Sequence, residues 1–230
     1  MRHAFHEDLD KISDQLVEMT RLVGSAMSRA TTALLDADIQ LAQTVIDGDK
    51  AIDAMREAID ELAIDLLARQ NPVATDLRII VTGMRMSSDL ERMGDLARHI
   101  AKVARLRYPD TAVPAEVRSE IVQMGNVAGE IVAKAGSVIA SKDVKAAAEL
   151  DRDDDAMDDL HRDLLARLME GPWKYGVQSA VDLALIGRYY ERFADWAVTV
   201  SHRVIYLVTG EWDEGITSMD HEEQEDDATD

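Results

Sequence analysis

Half of this sequence repeats the other half, which restricts the fold to something assembled from two equivalent units. Ile12, Leu16, Met19, Val23, Ala26, Ala30 and Ala33 recur 105 positions later as Val117, Ile121, Met124, Ala128, Ile131, Ala135 and Val138. At the same offset Ile52, Met55 and Ile59 become Met157, Leu160 and Leu164. The last part of each unit matches at an offset of 100, so five residues are missing from the second copy before Pro172, the counterpart of Pro72. A chain with this self-similarity is an internal duplication.

The repeated unit is helical. Its apolar residues step by three and four, which lines up one face of an α-helix. The first helix carries Leu9, Ile12, Leu16, Met19 and Val23, and the second Leu41, Val45, Gly48, Ile52, Met55, Ile59, Leu62 and Leu66. The third runs Ile79, Gly83, Met86, Leu90, Met93, Ala97, Ile100 and Ala104, and its copy runs Leu183, Ile186, Tyr190, Phe193, Ala197, Val200, Val204 and Leu207. Pro72 stops the second helix because it has no N–H for the hydrogen-bond ladder. Aromatic residues make up only 4% of the chain. The expected architecture is all-α: two tandem three-helix bundles, six long helices in all, related by the duplication. The first bundle is placed at residues 5–108 and the second at 113–210, separated by the linker "YPDTAVP". Residues 211–230 lose the apolar stripe, are dense in Asp and Glu, and read as a disordered acidic tail.

Charge and composition exclude several functions. A net charge of -20 disfavours nucleic acid, whose binding relies on basic residues displacing counterions. With no cysteine there is neither a disulfide nor a thiolate chemistry to consider. The opening "MRHAFHEDLDKISDQ" lacks the apolar core of a signal peptide, and no apolar run reaches the roughly 18 residues that would span a bilayer. The expectation is a cytoplasmic protein without direct membrane insertion. There is no Gly-x-Ser-x-Gly elbow and no glycine-rich phosphate loop, and the six histidines are scattered. A ferritin-like di-metal core would need paired Glu-x-x-His motifs, of which Asp158 with His161 is the nearest imitation.

The duplication also copies acids. Glu91, Arg92 and Asp95 in "DLERMGD" become Glu191, Arg192 and Asp195 in "YYERFAD", and Asp49 and Asp53 become Asp154 and Asp158. Residues four apart lie one above the other on a helix, about 40° apart around its axis. With Leu90 and Met93 at the core positions of a heptad, Glu91 and Asp95 fall opposite the buried stripe, so the pairs are expected to face away from the core. Clustered carboxylates repel one another unless protonated, paired with Arg or bridged by cations, and all-oxygen donor sets suit Mg, Ca, Mn or Fe. Trp212 is expected to cap the last helix.

"LLARQNPVATDLR" before "DLERMGDLARHIA", and "YYERFADWAVTVSHRVIYLVTGE" one repeat later, resemble the PhoU family of phosphate-uptake regulators. The resemblance runs from residue 5 to about residue 212, and it includes Arg78, which it implies anchors its helix start by pairing with Asp76 or an acid on the neighbouring helix. It implies two three-helix bundles whose Glu/Asp-x-x-x-Asp pairs bind multinuclear iron or zinc, with Mg and Mn also compatible. The implied metal ligands are Glu91, Asp95, Glu191 and Asp195, joined by Asp49, Asp53, Asp154 and Asp158. It further implies a non-enzymatic, homodimeric negative regulator that contacts the ATPase subunit of a phosphate ABC transporter and a phosphate sensor histidine kinase. The alternative is a carboxylate metal-binding scaffold or storage protein with no phosphate role. The second motif departs from the family, with Phe193 and Ala194 before the Asp. If the two sites differ, that departure points to the second half as the one to lose metal.

Overall fold

The computed structural model describes residues 2–211; the tail and Trp212 therefore lie outside the described residues. The helices are α1 (Arg2–Asp36), α2 (Ile39–Gln70), α3 (Thr75–Arg107), α4 (Arg118–Ser141), α5 (Val144–Met169) and α6 (Gly176–Thr209). A short 3-10 turn, Ala115–Val117, leads into α4. Among the described residues there is no strand, and no helix is long and apolar enough to cross a membrane.

Even the turns are duplicated. Asp38 caps α2 by accepting hydrogen bonds from the Gln40 and Leu41 amides, and Asp143 caps α5 by accepting from those of Lys145 and Ala146. These side chains satisfy amides that have no partner within the helix. Ala37 and Lys142, which precede the two caps, are both left-handed, with φ of 50° and 55°. After α2, left-handed Asn71 is followed by Pro72; after α5, Gly171 at φ 118° is followed by Pro172.

The stripes read from the sequence form the core. Ile12, Leu16, Met19 and Val23 of α1, Leu90, Met93 and Ala97 of α3, and Ile121, Met124 and Ala128 of α4 are buried, as are Leu183, Ile186, Tyr190 and Phe193 of α6. Gly48 is an exception, being exposed on α2. Each such apolar side chain contributes about 1.5–3 kcal/mol on burial, enough in sum to fix how the helices pack. The two units are not separate: α1 packs on α4 and α3 on α6, and the buried residues form one continuous cluster. The Tyr190 hydroxyl lies 2.7 Å from that of Thr31, joining α6 to α1 inside this cluster.

α3 and α6 are therefore the inner helices, each covered by its own unit and by the other. Their seam holds Arg203 against Asp89 and Arg107 against Asp182, with Arg107 Nε and Nη2 donating at 2.5 and 2.8 Å. Arg78 does not pair with an acid as expected. Its Nε donates to the Leu207 carbonyl at 3.0 Å, and its guanidinium lies 5.9 Å from the centre of the Tyr206 ring. Gly210 makes this possible: its φ is +80°, and a Cβ there would collide with Arg78 Nη1. Arg78 is thus a tie from α3 to the C-terminal end of α6.

Candidate functional site

The eight acids singled out in the sequence gather into two quartets. One lies where α2 meets α3, the other where α5 meets α6. In the first, Asp53, Asp49 and Asp95 each disfavour ionisation of Glu91, which places all four carboxylates in mutual range. In the second, Asp195, Asp158 and Glu191 act on Asp154 in the same way.

The acids are less exposed than the heptad suggests. Asp49 is buried, with 5% of its surface exposed, and the other seven are half-buried. The heptad argument treats each helix as if one neighbour set its orientation. α3 and α6 instead pack on several helices, so the side opposite the main stripe still forms the wall of a groove. Gly94 lets that wall come close, since a Cβ there would meet Ile52 Cδ1 at 2.8 Å and Asp49 Oδ1 at 3.5 Å. The second copy has Ala194 instead, opposite a unit in which Ile52 is replaced by the unbranched Met157.

The quartets differ most in their counter-charges. In the first, Arg98 bridges α2 and α3: Nη1 is 2.6 Å from Asp49 Oδ2 and Nη2 is 2.5 Å from Asp95 Oδ1. The contact with buried Asp49 Oδ2 is a charge contact without hydrogen-bond alignment. Arg56 adds a second guanidinium close enough to favour ionised Glu91. At the matching positions the second quartet has Val198 and His161. There Arg188 holds Glu191, donating from Nη1 to both carboxylate oxygens at 2.5 and 2.6 Å, and Arg188 and Arg192 both favour ionised Asp195, while the position of Arg98 is taken by the uncharged Val198.

The titration behaviour follows this inventory. Burial pushes the Asp49 carboxyl up; Arg98 opposes it, and Asp95 and Asp53 each add a smaller push upward. Burial also raises Glu91, with Asp95 and Asp53 adding to it. In the second quartet Asp154 is pushed to about 7 by burial, then by Asp195, Asp158 and Glu191. Asp195 also reaches about 7, through burial and then Glu191, with Arg188 opposing. Burial lowers His161, so the imidazole beside the second quartet is disposed to be neutral, the form that can donate a lone pair.

Asp154 Oδ1 is buried and without a hydrogen-bond partner, a costly state for a carboxylate oxygen. Among the described residues no three His, Asp or Glu side chains close on a single point. The donors present nevertheless fit a hard cation. They are carboxylates with one buried oxygen to satisfy, and a divalent ion would supply the charge that Arg98 supplies in the first half. This inventory runs opposite to the expectation from Ala194, because the first quartet is the one already furnished with an internal cation.

Sequence reasoning missed Arg98, although the exchange of Arg98 for Val198 is visible once the copies are aligned. Arg92 and Arg192 both approach the ring of buried Trp196, at 4.8 and 6.0 Å from its centre, so the repeated arginines meet at the α3/α6 seam.

Comparison with known proteins covers the same two units. A family model described as the PhoU domain matches residues 16–104 and again 121–204. The chain is 50% identical over 210 residues to the phosphate-specific transport system accessory protein PhoU homolog 2 of Mycobacterium tuberculosis, covering 91% of this chain and 99% of the relative. It is 48% identical over 217 residues to PhoU homolog 1 of Mycobacterium leprae, covering 94% and 98%. Among solved structures, the phosphate transport system regulatory protein PhoU from Streptococcus pneumoniae superposes with a TM-score of 0.81 at 28% identity, covering 91% of this chain and 99% of that one. PhoU from Pseudomonas aeruginosa gives 0.79 at 30% identity, covering 90% and 100%.

Proposed function

This chain belongs to the PhoU family, and from that premise we propose that it is a non-enzymatic accessory protein of phosphate transport. It restrains uptake and the phosphate-starvation response when phosphate is plentiful. The observation that carries this reading is the extent of the similarity: half of the residues over nine-tenths of the chain match a relative named as a transport accessory protein, and both copies of the unit take part. The finer reading is that it acts by protein contact, on the ATPase subunit of a phosphate ABC transporter and on a sensor histidine kinase, as a homodimer in the cytoplasm. Its acidic surface suits basic patches on partners and disfavours anionic lipid.

The carboxylate quartets take cations in this reading, iron or zinc by resemblance and Mg or Mn by donor chemistry. Asp154, Asp158, Glu191 and Asp195 would hold one group, and Asp49, Asp53, Glu91 and Asp95 the other. A bound cation would supply countercharge to the groove, so that the two helices of each unit keep a fixed spacing for partners to read. The buried Asp154 oxygen is the support for this in the second half.

Deleting the gene and following phosphate uptake together with an alkaline phosphatase reporter in phosphate-rich medium tests the regulatory role. Derepression of both is expected. Unchanged repression would defeat the proposal and leave a metal-binding scaffold without a phosphate role.

A further inference from the structure

Three arginines of this acidic chain line one pocket of about 340 Å³ on the α3/α6 seam, Arg85 and Arg92 of α3 and Arg203 of α6, together with Ser88 and Asp89 of α3 and Asp60 of α2. We propose that this pocket binds a phosphate-class oxyanion, with Arg85, Arg92 and Arg203 as its donors.

Three guanidiniums face two carboxylates here, and Asp60 is itself shared with Arg56, whose Nη1 lies 3.0 Å away outside the lining. Positive charge is therefore in local excess in a protein whose net charge is -20. Arg85 and Arg92 are seven residues apart, with Ser88 and Asp89 between them at spacings of three and four, so one face of α3 presents all four.

Two of the donors are held in place. Arg203 is fixed by its double contact with Asp89, Nε to Oδ2 at 2.5 Å and Nη2 to Oδ1 at 3.3 Å. The Arg92 guanidinium lies over the Trp196 ring, 4.8 Å from its centre. Stacking occupies the face of a guanidinium and leaves its N–H groups in the plane, the arrangement that recognises phosphate oxygens in pairs. Side chains already ordered lose little freedom on binding. The volume is many times the ~30 Å³ share of a water molecule, so a phosphate with bridging waters has room.

The pocket is built once. At the copied positions Arg85 becomes Leu185, Ser88 becomes Arg188 and Asp89 becomes Tyr189, and Arg203 corresponds to Val103. It is therefore not a by-product of the duplicated scaffold, and it adjoins the first quartet through Arg56, which pairs with Asp60 and also favours ionised Glu91.

The test is isothermal titration of full-length protein, treated with chelator so that bound metal cannot capture the anion, with inorganic phosphate at constant low ionic strength. Phenyl phosphate in a parallel arm separates free phosphate from a phosphoryl group carried on a larger molecule. Saturable binding of one anion per chain is expected in at least one arm. Arg85→Gln should weaken it at least tenfold, and Arg105→Gln, elsewhere on α3, should leave it unchanged. Arg85 is exposed, so its substitution spares the fold even if Arg92→Gln disturbs Trp196. Absence of saturable binding in both arms, or full affinity in a folded Arg85→Gln protein, would overturn the assignment.

Discussion

Arg203 Nε donates to Asp89 Oδ2 at 2.5 Å across the α3/α6 seam, with both side chains no more than 4% exposed. Breaking such a pair strands a charge in the interior, which costs roughly 3–5 kcal/mol, whereas replacing both partners with apolar groups of similar volume can be nearly neutral. Arg203→Met is accordingly expected to lower the urea midpoint sharply, and Asp89→Leu/Arg203→Met to recover much of the loss. Equal destabilisation by the single and the double variant would show that Arg203 contributes packing and not charge.

The contact of Gly94 with Ile52 sets a second expectation. A Cβ at 94 would meet Ile52 Cδ1 at 2.8 Å, the far end of a side chain that can yield a little. Gly94→Ala should therefore destabilise by about 1–2 kcal/mol, at the lower end of what overpacking costs. Ile52→Val removes the colliding methyl and should rescue the variant in part. Thermal melts of the two single variants and the double complete the cycle.

The fold was legible because burial in a helix bundle leaves a periodic trace, and the duplication wrote that trace twice. Ile12 and Val117, or Met93 and Phe193, could be placed in the core from spacing alone. The quartet membership was legible for the same reason, since Asp49 and Asp154 recur in register with Glu91 and Glu191. Their degree of burial was not, because one heptad cannot express the several neighbours of α3. Nor was the Asp89–Arg203 pair, which joins residues 114 positions apart that the duplication does not repeat: their counterparts are Tyr189 and Val103.

The carboxyls of Asp154 and Asp195, raised to about 7 in the folded protein, return to about 4 when the chain unfolds. The folded state therefore binds their protons more tightly. The stability linked to these groups is fully present below about pH 4 and is lost as pH rises through about 7. In chelator, metal-free protein should lose stability between pH 5 and pH 8 more steeply than Asp154→Asn or Asp195→Asn. Both groups are partly solvated, so after allowance for screening the difference should be about 1–2 kcal/mol. Parallel stability curves for the parent and both Asn variants would show that these carboxylates ionise as they do in water.

The exchange of Arg98 for Val198 gives the last prediction. In the first quartet the guanidinium lies within 2.6 Å of both Asp49 and Asp95. In the second, the matching position is Val198, and Asp154 Oδ1 stays buried without a hydrogen-bond partner. Like charges about 4 Å apart repel by about 4 kcal/mol in a partly buried site, so an added fixed cation competes directly with a bound one. Val198→Arg should therefore weaken divalent-ion binding by the second half at least tenfold, and Arg98→Val should create a stronger site in the first. Manganese titration of chelator-stripped protein, read by calorimetry and by the rise in melting temperature, measures both. Asp49 supplies an internal check, because in Arg98→Val it is a buried carboxylate with its nearest counter-charge removed. That variant should be less stable than the parent without manganese and should regain the difference when manganese is added. Manganese affinities indifferent to both substitutions would mean that counter-charge does not set which half of the chain takes a cation.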